Sequence, residues 1–263
     1  MKYLNLGCGE IFHKEWLNID YVSNSPYVKQ HDLSQGIPFM NGSMDVVYHS
    51  HIFEHFSKSE GGKFIKECNR VLKKGGIIRI VIPDLKTIVQ EYLNCYSKAK
   101  ESEDKLAEAN YEWSMIELID QLVREESGGE MLKYWGRETL MNEETLEKRI
   151  GTVYKKYRNF KTNQTKPILT LKEKIIKFFL KRIDIEWEDY VKMKFYKIGE
   201  RHKWMYDDFS LSLLLQKNGF EKIKIQTGDT SYMSGWNKYS NLDTNEDNKL
   251  RKPDSIIIEA IKR

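Results

Sequence analysis

The sequence predicts an α/β fold in which a mostly parallel sheet is covered by helices on both faces. In residues 1–96, short apolar segments alternate with segments of helical spacing, as they do in parallel α/β proteins. The same alternation returns in residues 201–263, whereas residues 97–200 have mostly helical spacing. We therefore expect a core built from the two outer ranges and interrupted by a helical insertion that acts as a lid.

The pattern of apolar and polar residues places the elements of this core. Helical spacing predicts one helix at residues 64–72, with Gly75 and Gly76 as its stop signal, and another at residues 208–217. Short apolar and alternating segments predict strands at residues 3–6, 16–20, 44–49, 77–82, 220–226 and 255–261.

Composition narrows the class of protein. The chain has 263 residues, of which 40% are hydrophobic and 31% charged, so it is globular rather than disordered. A net charge of +4 does not by itself argue for nucleic acid as a partner. The apolar runs are too short to span a bilayer, and no signal-peptide pattern is present. Cys8, Cys68 and Cys95 lack Cys-x-x-Cys spacing, so we predict no disulfide framework, no metal site and a cytoplasmic location.

The insertion has an acidic half followed by a basic half, at residues 101–150 and 151–205. Both halves are most simply solvated helix faces, although the basic half is also suited to a phosphorylated substrate. Gly128-Gly129 and Pro167 are the expected helix breaks.

Residues 171–185 form an amphipathic segment within the basic half. Leu171, Ile175, Phe178 and Phe179 share a helical face that lysines surround. The simplest interpretation is a lid helix that packs on the core. A helix on a membrane surface and a protein contact are the alternatives, so peripheral membrane contact stays open.

Gly7, Cys8 and Gly9 follow the first predicted strand, and Asp20 ends the second. In open α/β sheets ligands bind at the carboxyl ends of strands, where glycines allow close approach and a carboxylate accepts from ribose hydroxyls. The interval from Gly9 to Asp20 is too short for a crossover helix, and the third glycine of the dinucleotide fingerprint is missing. Both points argue against a nicotinamide cofactor.

Six elements in order complete the pattern, and together they are more specific than any one of them. This order resembles the Rossmann-like class I S-adenosylmethionine-dependent methyltransferases that are associated with surface-polysaccharide biosynthesis. The resemblance covers residues 1–85, and residues 202–220 resemble the family's final helix. The six elements are Gly7-Cys8-Gly9, Asn18-Ile19-Asp20, Asp32-Leu33, His51-Ile52-Phe53-Glu54-His55, Arg70-Val71-Leu72-Lys73-Lys74-Gly75-Gly76 and Pro83-Asp84.

The resemblance implies a seven-stranded sheet whose last strand is antiparallel, and S-adenosylmethionine as cofactor with S-adenosylhomocysteine as product. The glycine turn at residues 7–9, Cys8 included, would then face the amino-acid part of the cofactor, and Asp20 would hold the ribose. Asp32 would accept from the adenine amine while Leu33 donates its backbone amide and packs on the ring. His49 and Ser50 would lie near the sulfonium.

A hydroxyl acceptor loses a proton during methylation, so a base near the cofactor is useful. His51, His55 and His202 are the candidates, and for each the alternative is a hydrogen-bonded structural histidine. The expected reaction is O-methylation of a sugar or another small metabolite, phosphorylated or nucleotide-linked, in capsule or surface-polysaccharide biosynthesis. The helical insertion would form the acceptor side of the cleft. The sequence does not predict the oligomeric state.

Other functions stay open at this point. A phosphoramidate-type capsule modification, a protein or a nucleic acid are alternative methyl acceptors, although the chain lacks the Asn/Asp-Pro-Pro-aromatic element typical of base methylation. A non-catalytic binding module is a further alternative. His51 and His55 also fit the His-x-x-Glu-His pattern of zinc peptidases, which requires both residues on one helix and a third ligand.

Overall fold

Seven strands form one sheet in the part of the chain that the computed structural model describes, residues 1–23, 25–151, 154–155, 157–158 and 170–263. Their order across the sheet is β3-β2-β1-β4-β5-β7-β6. The strands are β1 (Tyr3–Leu6), β2 (Leu17–Asp20), β3 (Val28–Gln30), β4 (Met44–Ser50), β5 (Leu72–Pro83), β6 (Phe220–Gln226) and β7 (Ser255–Lys262).

Strands β1 to β5 pair in parallel, and β7 is inserted antiparallel between β5 and β6. This arrangement confirms the expected seven-stranded, mostly parallel sheet with an antiparallel last strand. The chain runs outward from β1 to β2 and β3, and then returns to the other side of β1 as β4. The carboxyl ends of β1 and β4 therefore flank the switch point at which open α/β sheets bind ligands.

Two local predictions need correction. Strand β3 was not predicted, because three residues are too few to show a period. The helix before β5 ends at Val71 and not at the glycine pair, because Leu72 is already extended (φ −68°, ψ 141°) and begins the strand. Met44 pairs with Leu72 but Val46 pairs with Ile77, so the glycines lie in an irregular part of β5.

Eight α-helices have both of their ends within the described residues. The helix α1 begins with a capping box in which Ser57 and Glu60 satisfy each other's backbone amides, and this explains why it begins there. The helices are α1 (Lys58–Val71), α2 (Leu85–Glu101), α3 (Lys105–Val123), α4 (Gly129–Trp135), α5 (Glu143–Ile150), α6 (Leu171–Arg182), α7 (Trp187–Ile198) and α8 (Asp208–Lys217).

The chain divides into two compact units, residues 1–90 with 203–263, and residues 91–202. The sequence predicts the same kind of division with boundaries after residues 96 and 200. In the first unit α1 packs against β5, and α8 packs against β6 and β7. The opposite face of the sheet carries an aromatic cluster that includes Trp16, Tyr48, Trp236 and Tyr239. Both faces of the sheet are therefore covered.

The second unit has a core of its own. Its largest members are Trp113, Tyr134, Trp135 and Tyr154, which α3, α4 and the residues near α5 contribute. The expected break at residues 128–129 is present, because α4 begins at Gly129 after a left-handed Gly128 (φ +78°). Pro167 lies outside the described residues.

Helix α6 forms within the predicted amphipathic segment. No residue of α6 is buried, and Leu171, Ile175, Phe178 and Phe179 on its predicted apolar face are exposed. Its role as a lid helix stays a prediction. Within the described ranges, every helix is too short or too polar to cross a membrane.

Candidate active site

The turn after β1 keeps its backbone close to neighbouring atoms. Gly7 and Gly9 both have positive φ (64° and 51°), and the amides of Gly7 and Cys8 donate to the Ile19 carbonyl at 2.8 and 3.1 Å. A Cβ on Gly7 would lie 2.2 Å from Cγ2 of Ile52, whereas a Cβ on Gly9 would meet no atom within 4 Å. Gly7 is thus required by packing, and Gly9 leaves open space beside the backbone.

Cys8 lies between the two glycines, and its side chain is buried. Burial, reinforced by the nearby Asp20 carboxylate, raises the pKa of the Cys8 thiol to about 12. The thiol therefore stays protonated at neutral pH and is not a nucleophile.

Asp20 ends β2 beside this turn. One carboxylate oxygen accepts from the Gly9 amide at 2.7 Å and the other from the Val22 amide at 3.1 Å. A carboxylate has about four lone-pair positions, so both oxygens can still accept from ribose hydroxyls. The expected ribose role of Asp20 stays a prediction, and its contact with Gly9 couples it to the turn.

Asp32 and Leu33 follow β3 at the same edge of the sheet. The Asp32 carboxylate accepts from the Ser34 amide at 2.9 Å and caps a short 3-10 helix, Leu33–Gln35. Hydrogen bonds from Ser34 hold the pKa of Asp32 below its usual value. Leu33 is half-buried against the core of the first unit. Their adenine role stays a prediction, and the cap explains Asp32 without a ligand.

A cavity of about 270 Å³ opens beside the glycine turn within the first unit. It brings together five of the residues singled out from the sequence, namely Gly7, Cys8, Gly9, Ser50 and His51. Asp20, Asp32 and Leu33 do not line it. The remaining lining residues are Asn5, Glu10, Ile11, Tyr48, Val81, Leu242, Asp243, Leu250, Arg251, Lys252, Ser255 and Ile257.

His49 does not face this cavity. Side chains alternate along β4, so Tyr48 and Ser50 line the cavity while His49 points to the other face of the sheet. There its fully buried ring lies 5.2 Å from the ring of Phe64 and 5.7 Å from that of Phe53. Burial lowers the pKa of His49 to about 3, so the ring is neutral. The expected position of His49 near the sulfonium is therefore wrong.

His51 is held in a fixed orientation at the cavity wall. Its Nδ1 lies 3.2 Å from Oε1 of the buried Glu54, and its Nε2 lies 2.8 Å from Oγ of Ser255. The Glu54 carboxylate favours the tautomer in which Nδ1 carries the proton, and in that tautomer Nε2 accepts from the serine hydroxyl. His51 also has φ +52°, an unusual conformation for a non-glycine residue and one that often marks a functional site.

Burial and the nearby Lys252 lower the pKa of His51, against the opposing effect of Glu54. The ring is consequently neutral at pH 7, with a basic Nε2 at the cavity wall. This is the state that a general base requires before it takes a proton.

The other two histidine candidates have different surroundings. His55 is half-buried at the end of a 3-10 helix, Phe53–His55, and does not line the cavity. His202 belongs to the second unit, where it is buried and its amide donates to the Gln121 carbonyl at 2.9 Å. No α-helix carries both His51 and His55, and this counts against the zinc-peptidase alternative.

Asp243 and Tyr48, which also line the cavity, belong to a buried ionic network that the sequence did not predict. Arg79 on β5 donates twice to Asp243, at 2.6 and 2.8 Å, and once to Glu259 on β7 at 2.8 Å. Its guanidinium lies 4.1 Å from the ring centre of Trp236, and the Tyr48 hydroxyl donates to Asp243 at 2.7 Å. One signal was available, because Arg79 and Glu259 each interrupt an apolar strand, and buried charges need partners.

Comparisons with known proteins support a methyltransferase. Residues 13–80 match the family described as methyltransferase domain. No curated protein matches the chain. The matched residues include Asp20 but not the glycine turn at residues 7–9.

Several solved structures are similar to the chain. A methyltransferase from Thermotoga maritima, described as a possible histamine N-methyltransferase, shares 14% identity at a TM-score of 0.41, over 100% of this chain and 82% of its own. A methyltransferase from Archaeoglobus fulgidus shares 13% sequence identity at a TM-score of 0.41, and the similarity covers 99% of this chain and 86% of that protein. The YcgJ protein from Bacillus subtilis shares 11% sequence identity at a TM-score of 0.39, and the similarity covers 100% of this chain and 92% of that protein. These TM-scores are below 0.5, so the fold assignment rests on the sheet itself.

The residues present fit S-adenosylmethionine. The backbone at Gly9 faces open space, Asp20 retains acceptor capacity, and the cavity continues from the turn to Ser50 and His51. The strand order and the domain match together identify the Rossmann-like methyltransferase fold with S-adenosylmethionine as its cofactor.

Proposed function

We propose that this protein is an S-adenosylmethionine-dependent O-methyltransferase and that His51 is its general base. The observation that carries the proposal is the neutral His51 ring at the wall of the cavity that the glycine turn lines. Glu54 and Ser255 fix the ring so that Nε2 is its basic atom. A sulfonium methyl group is transferred by in-line displacement, so the enzyme has mainly to position the acceptor and remove its proton.

In this mechanism an acceptor hydroxyl replaces Ser255 as the hydrogen-bond donor to Nε2 of His51. Methylation of the hydroxyl oxygen would release its proton, and Nε2 of His51 would take that proton up. The Glu54 carboxylate, at Nδ1, stabilises the imidazolium that results, and the proton then leaves to solvent. The bound cofactor supplies the electrophilic methyl group. Glu54 is thus a positioning residue, and Ser255 holds the ring in place until the acceptor binds.

A sugar or another small metabolite is the proposed acceptor, phosphorylated or nucleotide-linked, in capsule or surface-polysaccharide biosynthesis. Arg251 and Lys252 line the cavity and are suited to a phosphate. The basic half of the helical unit gives less support, because Lys155 pairs with Glu147 at 2.7 Å and Arg158 with Glu143 at 3.1 Å. Lys156, the third basic side chain of this stretch, lies outside the described residues.

Two linked expectations remain proposals. One is that the helical unit forms the acceptor side of the cleft, and the other is a cytoplasmic location. All three cysteines are free and buried, which is compatible with a reducing compartment.

The test is methyl transfer from labelled S-adenosylmethionine to a panel of sugar phosphates, nucleotide sugars and unphosphorylated sugars. We expect His51→Gln to lower kcat by about 10²–10⁴-fold and to leave cofactor affinity, measured by calorimetry, unchanged. His55→Gln is the matched comparison, and its kcat should stay near the wild-type value. A wild-type kcat in His51→Gln would refute the assignment of the base.

The same assay, extended to protein, nucleic-acid and phosphoramidate acceptors, separates the alternatives. Cofactor binding without transfer to any acceptor would favour a non-catalytic binding module. Transfer to protein or nucleic acid only, the latter with strongly salt-dependent binding, would favour a macromolecular acceptor. Transfer to a phosphoramidate-type group would identify the remaining alternative. Failure to bind S-adenosylmethionine at all would refute the proposed function.

A further inference from the structure

The helix α6 in the second unit presents an apolar face to the surface. Its side chains Leu171, Ile175, Phe178 and Phe179 have exposed fractions of 76%, 50%, 57% and 58%. Ile183, directly after the helix, is 65% exposed and continues the same face by one turn. Large apolar side chains clustered in this way on a surface usually mark a binding site. None of these five side chains packs into a core formed by the described residues.

The opposite face of α6 already has a neighbour. Lys177 lies 5.8 Å from the ring centre of Trp187 on α7, and Glu173 lies 3.9 Å from Lys194 on the same helix. Ile176 and Leu180, on this side, are half-buried. The two helices thus form a pair whose contact fixes the rotation of α6. The contact with α7 therefore orients the apolar face of α6 toward the surface.

The charge of α6 is strongly biased. Its twelve residues carry five basic side chains and one acidic side chain. Lys174 and Lys181 border the apolar face on one side, Lys172 and Arg182 lie along it, and the Arg182 guanidinium is 4.7 Å from the ring centre of Phe178. An apolar stripe with aromatic side chains and basic borders is the pattern of helices that lie in the interface of an anionic membrane.

We propose that α6 docks this protein on an anionic lipid surface. Phe178, Phe179, Leu171 and Ile175 enter the boundary between headgroups and acyl chains, while Lys174 and Lys181 contact lipid phosphates. The charge favours this partner over a second copy of the chain, because two α6 helices would bring ten basic side chains and two acidic ones together. The inference is independent of the proposed function, since it concerns a surface of the second unit.

The test is co-flotation of the full chain with vesicles of phosphatidylcholine, alone or mixed equally with phosphatidylglycerol. We expect binding to the mixed vesicles to be at least tenfold tighter and to weaken as salt is raised. The double variant Phe178→Ser/Phe179→Ser should lower the affinity at least tenfold through lost apolar insertion. The double variant Lys174→Glu/Lys181→Glu should lower the affinity by at least as much, because it replaces the attraction to lipid phosphates with repulsion. Lys63→Glu/Lys66→Glu on α1 makes the same charge change elsewhere and should keep most of the binding.

Thermal melting and cofactor binding should be the same in all these proteins, because every substituted side chain is exposed. Equal binding to both kinds of vesicle, or loss of binding in the α1 variant to the same extent, would overturn the proposal. So would the absence of vesicle binding combined with a concentration-dependent dimer that Phe178→Ser/Phe179→Ser abolishes. That last result would assign the face to a second copy of the chain.

Discussion

The buried Arg79 network gives the sharpest stability prediction. The Arg79 side chain is 1% exposed, as are those of Asp243 and Glu259. Besides its bonds to these carboxylates it donates to the backbone carbonyls of Thr227 and Thr230 at 2.9 and 2.8 Å. Replacing Arg79 with Met keeps much of the volume but leaves two buried carboxylates without their cation. Breaking a buried ion pair in this way costs about 3–5 kcal/mol.

The expected result is a free energy of unfolding lowered by about 3–5 kcal/mol, with a fall in Tm on the order of 10 °C for a chain of this size. Chemical denaturation at pH 7 measures the first quantity and calorimetry the second. Cofactor affinity should fall as well, because Asp243 belongs to the cavity wall that Arg79 anchors.

Lys73→Met is the matched control. Lys73 pairs with Asp45 at 2.7 Å, but its side chain is 47% exposed, and such surface pairs contribute about 0–1 kcal/mol. If Arg79→Met were no more destabilising than Lys73→Met, the network would not hold the wall in place, and the reasoning would fail.

Two further predictions concern the first unit. Because His49 has a pKa of about 3 when folded and about 6.5 when unfolded, its contribution to stability is fully present above pH 6.5 and falls as the pH drops toward 3. By pH 5 the loss of stability reaches about 2 kcal/mol. In denaturant titrations at several pH values, His49→Phe should lose less free energy of unfolding on acidification than the wild type does. An equal loss in both proteins would contradict this prediction. Gly7→Ala should destabilise the fold and abolish cofactor binding, because its Cβ meets Ile52. Gly62→Ala lies inside α1 with open space around its Cβ, so melting should show no loss of stability and calorimetry no change in cofactor affinity.

The pH dependence of catalysis follows from His51. Its pKa is lowered, so the base is free at pH 7 and becomes protonated only in acid. The rate should therefore be constant above neutrality and fall as the pH drops below about 6.5. Glu54→Gln removes the carboxylate that favours the charged ring, so the acid limb of kcat should move to lower pH. A limb that does not move would argue against contact between these residues in catalysis.

Local patterning determined most of the sheet. The strand Tyr3–Leu6 and the helix Asp208–Lys217 have the bounds that their apolar spacing predicts, because each is long enough to show its period and ends at a turn signal. The antiparallel β7 came from the resemblance, since nothing in residues 255–261 specifies its direction. The sequence also predicted that Gly7, Gly9 and His51 follow the carboxyl ends of strands, and all three line the cavity. Such motifs can be recognised from the order of residues along the chain alone.

Tertiary structure decided which way the side chains face and what they meet. His49 and Ser50 are neighbours in sequence, but the pleat of β4 sends one into the core and leaves the other at the cavity. Ser255, more than two hundred residues after His51, becomes its hydrogen-bond partner only because β7 inserts beside β5. Long-range packing also joined Arg79 to Asp243 and left the apolar face of α6 exposed. Periodicity describes one element at a time, whereas these outcomes depend on which elements become neighbours.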